Sequence, residues 1–436
     1  MTLPVDPATL AGAEPAEAAA PRTEVVLSLC VPTYNRAHFL RHLFPHIREA
    51  AKAFDFSYEI VVSDNASPDE TPQVVAEFKA EGMPIRYFRQ EENKRLANLF
   101  SAFRHARGEF VVYLADDDLV IPEALADNVR FMRENPEIRV VYTPWEIYDA
   151  VAEERTCLFY RLRKPLEVFQ AGQEIDLLKM MIENNVLPEI AMYRAEAVRE
   201  LVSAPQFCYW AFAYLSTMIS QGPIAFRDVP YYRSVTLTPV VPNRHQEGIH
   251  DSLYNWDNIR GGIEFMIFSL LKRLGLTPDR ELAVIFRDMV DHYIHLRLHV
   301  ALRLWLSRKD YLRAYEVITR LSYLNPESTR NIGSVESLLP LLRAQILAQL
   351  ASGIAEIERF VAIGVEDFAG FATKLREVGL RPDIAVVGPE DLTGAGAREK
   401  AFVFIRDEAI RASVLQAGYE PGLVVSARDV EVNFPI

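Results

Sequence analysis

The chain has 436 residues, with 60 Asp or Glu against 47 Lys or Arg and a net charge of −13. Half of the residues are apolar and a quarter are charged, the balance of a folded chain rather than a disordered one. The acidic excess argues against a nucleic-acid partner, which calls for a positive footprint, and leaves any anionic ligand to be met by local donors or a cation.

Residues 1–23 are rich in Ala, Pro, Glu and Thr without an apolar period, and a disordered tail is expected there. Val25–Val31 is an apolar run of strand length, ended by Pro32. A helix follows with Phe39, Leu40, Leu43 and Ile47 on one face. The pattern then predicts a strand over 59–63, a helix over 71–80, a strand over 85–89, a helix over 96–106 and a strand over 110–114. A helix over 122–135 and a strand over 140–143 continue the alternation. Apolar strands alternating with helices predict an α/β fold with a mainly parallel sheet covered on both faces. From 166 to 235 the pattern is mixed: helices over 173–184, 196–202 and 209–220, and strands over 187–193 and 224–227. Thr238–Gly248 reads as a loop. Residues 246–352 read as a helical domain, and 353–436 as a small α/β unit without a GxGxxG fingerprint.

The strongest chemical signal is Asp116-Asp117-Asp118, three carboxylates after a buried strand. In an open parallel sheet that end is where ligands bind. Adjacent carboxylates repel unless a cation is present. On an extended backbone Asp116 and Asp118 would share a side, an arrangement suited to Mg²⁺ or Mn²⁺. The triplet also reads as a solvated acidic turn before a helix. Asp64, in Ile60-Val61-Val62-Ser63-Asp64-Asn65, ends a second apolar strand and should reach the same edge. It could accept a ring N–H or ribose hydroxyls, or form an Asx turn. Val31-Pro32-Thr33-Tyr34-Asn35-Arg36 follows the first strand and could frame a base and a diphosphate, or be ordinary turn chemistry.

In this order "VPTYNR", "EIVVSDNASPDET" and "YLADDDL" resemble the family-2 glycosyltransferases of the GT-A fold, over roughly residues 24–245. The resemblance implies a nucleotide-sugar donor, most often a UDP-sugar, Mn²⁺ or Mg²⁺ at the triplet, and inversion at the anomeric carbon. Pro32, Tyr34, Arg36, Asp64, Asn65 and Arg95 would then surround the nucleotide, with Asp64 on uracil. Asp116 and Asp118 would be the metal-side pair and Asp117 would lie beside the donor ribose or sugar. Arg233 and the pair Arg244-His245 sit where a loop could close on a diphosphate, with His245 a further metal ligand. The acceptor would be a glycan, a lipid-linked glycan or a protein. One departure stands out. The family's acidic pair near a helix start falls here on Trp210-Ala211, and Cys208–Met218 contains no acid. Glu189 in "VLPEIAMYR" is the first candidate for the base, on an expected strand, and Asp228 the weaker one. The alternative is a sugar-nucleotide-binding or assembly protein with weakened catalysis.

His38, His42 and His46, and Asp288, His292, His295 and His299, recur at helical spacing and read as solvated helix faces rather than metal sites. Residues 294–313 form a basic amphipathic stretch that suits helix packing or, less readily, an anionic membrane surface. A homo-oligomeric or protein contact through the C-terminal regions is left open. Cys30, Cys157 and Cys208 form no CxxC pair, which favours a reducing compartment. No stretch reaches the roughly 18 uncharged apolar residues of a membrane span, and no basic segment with an apolar core opens the chain. A cytoplasmic protein, peripheral to the inner membrane at most, is expected.

Overall fold

The computed structural model describes residues 25–202, 208–241, 253–254, 256–327, 335–391 and 398–435. The expected tail at 1–23, the loop beyond residue 241, and Arg244 and His245 within it lie outside the described residues. The chain divides into two compact units, Met1–Gln246 with Asn258–Phe286 and Glu247–Asp257 with Arg287–Ile436.

The first unit alternates strands and helices, starting with β1 (Leu27–Thr33), α1 (Ala37–Ala50), β2 (Tyr58–Asp64), α2 (Thr71–Ala80), β3 (Ile85–Arg89), α3 (Ala97–His105) and β4 (Phe110–Tyr113). Next come β5 (Leu119–Val120), α4 (Pro122–Glu134), β6 (Val140–Tyr142), β7 (Glu146–Asp149), β8 (Glu154–Leu158) and β9 (Leu166–Phe169). α5 (Glu174–Glu183), β10 (Ala191–Arg194), α6 (Ala195–Arg199), α7 (Trp210–Gln221), β11 (Ile224–Arg227) and β12 (Tyr232–Leu237) complete the two sheets. Among the described residues one sheet has the order β3-β2-β1-β4-β10-β6-β11-β9. It is mainly parallel, with β10 and β9 antiparallel to their neighbours. β1 and β2 are buried almost throughout because helices cover both faces. The fold is therefore the expected mixed α/β one, with a large, mainly parallel sheet and a helical region.

The sequence pattern did not show a second sheet, β5-β12-β7-β8. β5 has two residues, and β8 is exposed along most of its length, so neither carries an apolar period. This sheet nevertheless lies against the acidic triplet, because β5 begins immediately after Asp118.

In the second unit the helix Val335–Ser352 packs on a parallel sheet of order β14-β13-β15-β16, formed by Arg359–Ile363 (β13), Ala385–Val387 (β14), Ala401–Ile405 (β15) and Val424–Ser426 (β16). Leu342, Leu347 and Ala348 of that helix share one core with Phe360 and Phe402 of the strands. The boundary expected near residue 352 thus falls between elements of one core. Several arginines of the basic stretch are engaged inside this unit. Arg297 is buried and donates to the Tyr293 hydroxyl at 2.9 Å, while Arg313 lies over the rings of Tyr254 and Trp305. No helix among the described residues is long and apolar enough to cross a membrane.

The edge of the large sheet opposite the triplet is closed by a polar knot. Glu59 accepts from the Ser28 hydroxyl and the Arg107 amide, both at 2.6 Å, and Ser28 Oγ accepts from the Gly108 amide at 2.8 Å. A Cβ on Gly108 would lie 2.7 Å from Ser28 N and 2.8 Å from Phe110 O. Both are backbone atoms of the sheet and cannot yield cheaply. Gly108→Ala is expected to destabilise the chain by about 1–3 kcal/mol, read from the midpoint of urea unfolding.

Candidate functional site

β1 pairs in parallel with β2 on one side and β4 on the other. Connections therefore leave in opposite directions, and a crevice opens at the carboxyl ends of β1 and β4. Three successive loops at this edge contain non-glycine residues of positive φ: Asn35 (56°), Ala66 (64°) and Arg95 (51°). Such conformations are costly for L-residues and persist where surrounding structure holds them. Here the loops hold one another. Asn35 N donates to Ser67 Oγ at 2.9 Å. Asp69 accepts from the first amides of two helices, Ala37 N at 2.9 Å and Thr71 N at 3.1 Å, and so caps both α1 and α2. Asn65 accepts from Lys94 N at 2.7 Å and donates to Asn93 Oδ1 at 2.9 Å, fixing the loop that carries Arg95.

The triplet is not extended. Asp118 N donates to Ala115 O at 3.3 Å, closing a turn over Ala115–Asp118. The backbone on which Asp116 and Asp118 were expected to share a side is therefore absent, and the carboxylates are held by different partners. Asp116 Oδ2 accepts from the Thr33 hydroxyl at 2.7 Å. Arg36 Nη1 lies 2.5 Å from Asp117 Oδ2 and 3.5 Å from Asp116 Oδ1. Asp118 turns toward the second sheet and accepts from the Tyr232 hydroxyl at 2.7 Å and from Val235 N at 2.8 Å. Asp116 and Asp118 are only 7% and 9% exposed. Carboxylates so covered are tolerable because each has donors.

The structure brings Arg36 together with Asp116 and Asp117, and places Pro32 near the end of β1 and the exposed ring of Tyr34 on the loop that follows. Asp64 reaches the expected edge but has no exposed surface. Its carboxylate accepts from Ser67 N at 2.8 Å and the Tyr87 hydroxyl at 2.5 Å, with Arg89 Nε at 3.5 Å. In this arrangement it organises the turn that carries Ala66, and a ligand contact through it requires Tyr87 or Arg89 to move. Arg95 is exposed on the third loop. Arg233 does not join the group. It alternates with Tyr232 along β12 and so takes the opposite face, where its Nε lies 2.9 Å from Glu146 Oε2 and its guanidinium covers Tyr148.

Glu189 lies in a turn before β10 rather than on the expected strand, because the strand starts only at Ala191. Pro188 supplies no amide to a ladder there. The residue is still at the right edge. Burial raises the phenol of Tyr113 well above its ordinary range, and the negative charges of Glu189, Asp118, Asp117 and Asp116 raise it further. All four acids thus lie within electrostatic reach of one ring. Trp210, where the acidic pair would fall, is buried against Tyr113 and Tyr214. Asp228 is exposed at the end of β11. Sequence reasoning missed Thr33, Asp69, Tyr87, Tyr232 and Val235. Thr33 and Asp69 lie inside the quoted motifs, whereas Tyr232 and Val235 come from more than a hundred positions away.

No group of three or more His, Cys, Asp or Glu among the described residues is arranged to hold a metal unaided. The donor set still suits a hard divalent ion. Asp116 and Asp118 offer carboxylate oxygens, the ligand type that such an ion prefers. One or two carboxylates with phosphate and water oxygens are the usual environment of Mg²⁺. His295 and His299 lie 3.2 Å apart through their Nε2 atoms, one turn apart on the helix Arg280–Ser307.

Fold and site together define an α/β domain with a polar crevice at the switch point of a mainly parallel sheet. Residues 28–202 match the model of glycosyl transferase family 2. That match, with glycosyltransferase relatives, supports over that segment the family-2 resemblance read from the sequence. The relatives include the abequosyltransferase RfbV of Salmonella typhimurium, 25% identical over 197 residues that make 45% of this chain and 52% of that one. Another is the GalNAc(5)-diNAcBac-PP-undecaprenol beta-1,3-glucosyltransferase of Campylobacter jejuni, 36% identical over 103 residues, 23% of this chain and 32% of that one. Among solved structures, S. aureus TarS 1-349 in complex with UDP-GlcNAc aligns at a TM-score of 0.46 and 16% identity, covering 75% of this chain and 88% of that one. The chain spans about half the length, or less, of the curated relatives it matches.

One histidine couples this edge to pH. His46 Nε2 lies 3.1 Å from Val120 O and 3.3 Å from Val120 N, anchoring β5 directly after Asp118. Burial lowers its pKa below 6.5; the bond to Val120 O opposes this, and the nearby charges of His42 and Arg233 reinforce it. Below pH 6.5 the unfolded chain takes up this proton more readily than the folded one, so stability falls with falling pH, by at most about 1.4 kcal/mol per pH unit for one proton. His46→Gln should flatten that slope in urea unfolding between pH 7 and about pH 5.

Proposed function

We propose that the first unit transfers a sugar from a nucleoside-diphosphate sugar, a UDP-sugar in the first instance, to a hydroxyl acceptor with inversion, in polysaccharide or glycoconjugate synthesis. The observation that carries this reading is the acidic turn at the switch point, tied through Thr33 to the end of β1 and through Arg36 to the loop after it. Tyr34, exposed beside it, offers a ring face to a base, and Arg36 a guanidinium to a diphosphate. Asp116 and Asp118 would hold the divalent ion. When bound, such an ion neutralises charge developing on the leaving diphosphate.

The remaining chemistry belongs to the chain. Arg36 balances two of the three carboxylates and is placed to follow the phosphate charge. Asp117 lies on the Arg36 side of the turn, where ribose or sugar hydroxyls would approach. Glu189 is the proposed general base. An acceptor hydroxyl gives its proton to the Glu189 carboxylate as its oxygen attacks the anomeric carbon from the side opposite the leaving diphosphate. The support for this assignment is electrostatic proximity, since Glu189 and the triplet act on the same Tyr113 phenol, and no acid lies along Cys208–Met218. The replacement of an acidic pair by buried Trp210 also favours a second reading, a sugar-nucleotide-binding protein without transferase activity. A glycan, lipid-linked or protein acceptor, and placement in the cytoplasm or at the inner membrane surface, are part of the proposal.

Release of UDP, measured across a panel of UDP-sugars and acceptors, separates the readings. Glu189→Gln is expected to lower kcat by about 10²–10⁴-fold, as loss of a general base does, with the donor KM little changed. Turnover unaffected by Glu189→Gln would remove Glu189 from the chemistry. Tight UDP binding without turnover on any pair would favour the second reading.

A further inference from the structure

We propose that Tyr232 is the positioning residue of the cation site. Its hydroxyl, with the Val235 amide, orients the Asp118 carboxylate for a divalent ion. This rests on the reading of the acidic turn given above and concerns the strand β12, outside the three loop motifs.

The Tyr232 hydroxyl donates to Asp118 Oδ2 at 2.7 Å and accepts from Ala115 N at 3.2 Å. One phenol oxygen therefore joins both ends of the Ala115–Asp118 turn. Asp118 Oδ1 takes the Val235 amide at 2.8 Å. Each carboxylate oxygen of Asp118 thus receives a donor from β12, which fixes the plane of the carboxylate. Tyr232 is 2% exposed, and its ring stacks on Tyr113 with centroids 6.4 Å apart, so the hydroxyl has little freedom to leave. The pairing of β12 with β5 and β7 is made by backbone groups and does not need this hydroxyl. The polar tip of an otherwise buried ring ends on a carboxylate and on the turn that presents it. That is the arrangement by which a residue behind a metal ligand fixes the ligand's orientation, and its loss typically costs about 10–100-fold in metal affinity.

The test is calorimetric titration of the full chain with Mn²⁺ alone, without donor or turnover, in the wild type, Tyr232→Phe, Asp118→Asn and the double variant. The wild type is expected to bind Mn²⁺, and Tyr232→Phe to bind it about 10–100-fold more weakly while keeping a cooperative melting transition. In the Asp118→Asn background, Tyr232→Phe should add no further loss, because the hydroxyl acts through that carboxylate. Binding by Tyr232→Phe within about twofold of wild type, against that expected loss, would overturn the inference and leave the parent reading intact. Additive losses would overturn it too, by showing action elsewhere. A Tyr232→Phe chain without a melting transition would show that the hydroxyl serves the fold, again overturning it. A wild type that does not bind Mn²⁺ alone would overturn the positioning role, while the parent reading is decided separately by UDP binding in the presence of Mn²⁺.

Discussion

Everything at the candidate site depends on how three consecutive carboxylates are kept nearly buried at the end of a strand. Charges of one sign so close together, and so little exposed, are unfavourable without compensation. The chain compensates from two directions. Thr33 at the end of β1 and Arg36 on the loop that follows engage Asp116 and Asp117. Tyr232 and Val235, on β12, engage Asp118. The turn at Ala115–Asp118 is what allows one triplet to serve both partners. It ties the large sheet to the small one, and it explains why β5, only two residues long, is worth anchoring through His46.

The same compensation sets the electrostatics of the crevice. Arg36 meets Asp116 and Asp117 of the turn, and the charge of Glu189 acts on the same region. In the proposed function a divalent ion and a diphosphate would meet at this cluster of carboxylates and guanidinium. The strained loops around Asn35, Ala66 and Arg95 point the same way, since their backbone cost is sustained by contacts among Ser67, Asp69 and Asn65.

Most of the large sheet was legible in the sequence because its central strands are apolar runs bounded by turn residues, whereas the half-exposed β9 was not anticipated. α2 and β3 fall where the pattern puts them, and β1, β2 and β4 within a residue or two. The second sheet was not, because β5 is too short and β8 too exposed to carry a period. The site divides in the same way. Asp64 and Asp116–Asp118 announce themselves by following strands, but their partners do not. Tyr87 reaches Asp64 from the next strand, and Tyr232 reaches Asp118 across the whole middle of the chain. Arg233 was misplaced toward the crevice because a strand was not foreseen there, and alternation along β12 sends it to the other face. Glu189 was expected on a strand and lies instead in the turn before it, since Pro188 delays the start of β10. Tertiary pairing, rather than local pattern, decides each of these cases.

The central claim is that the acidic turn is where a divalent ion and a nucleoside diphosphate meet. Calorimetric titration with UDP, in the presence and absence of Mn²⁺, on the wild-type chain and on Asp116→Asn combined with Asp118→Asn, tests it most directly. The account predicts UDP binding that requires the metal and is lost in the double variant. Equal binding with and without Mn²⁺, or undiminished metal-dependent binding by the double variant, would contradict it.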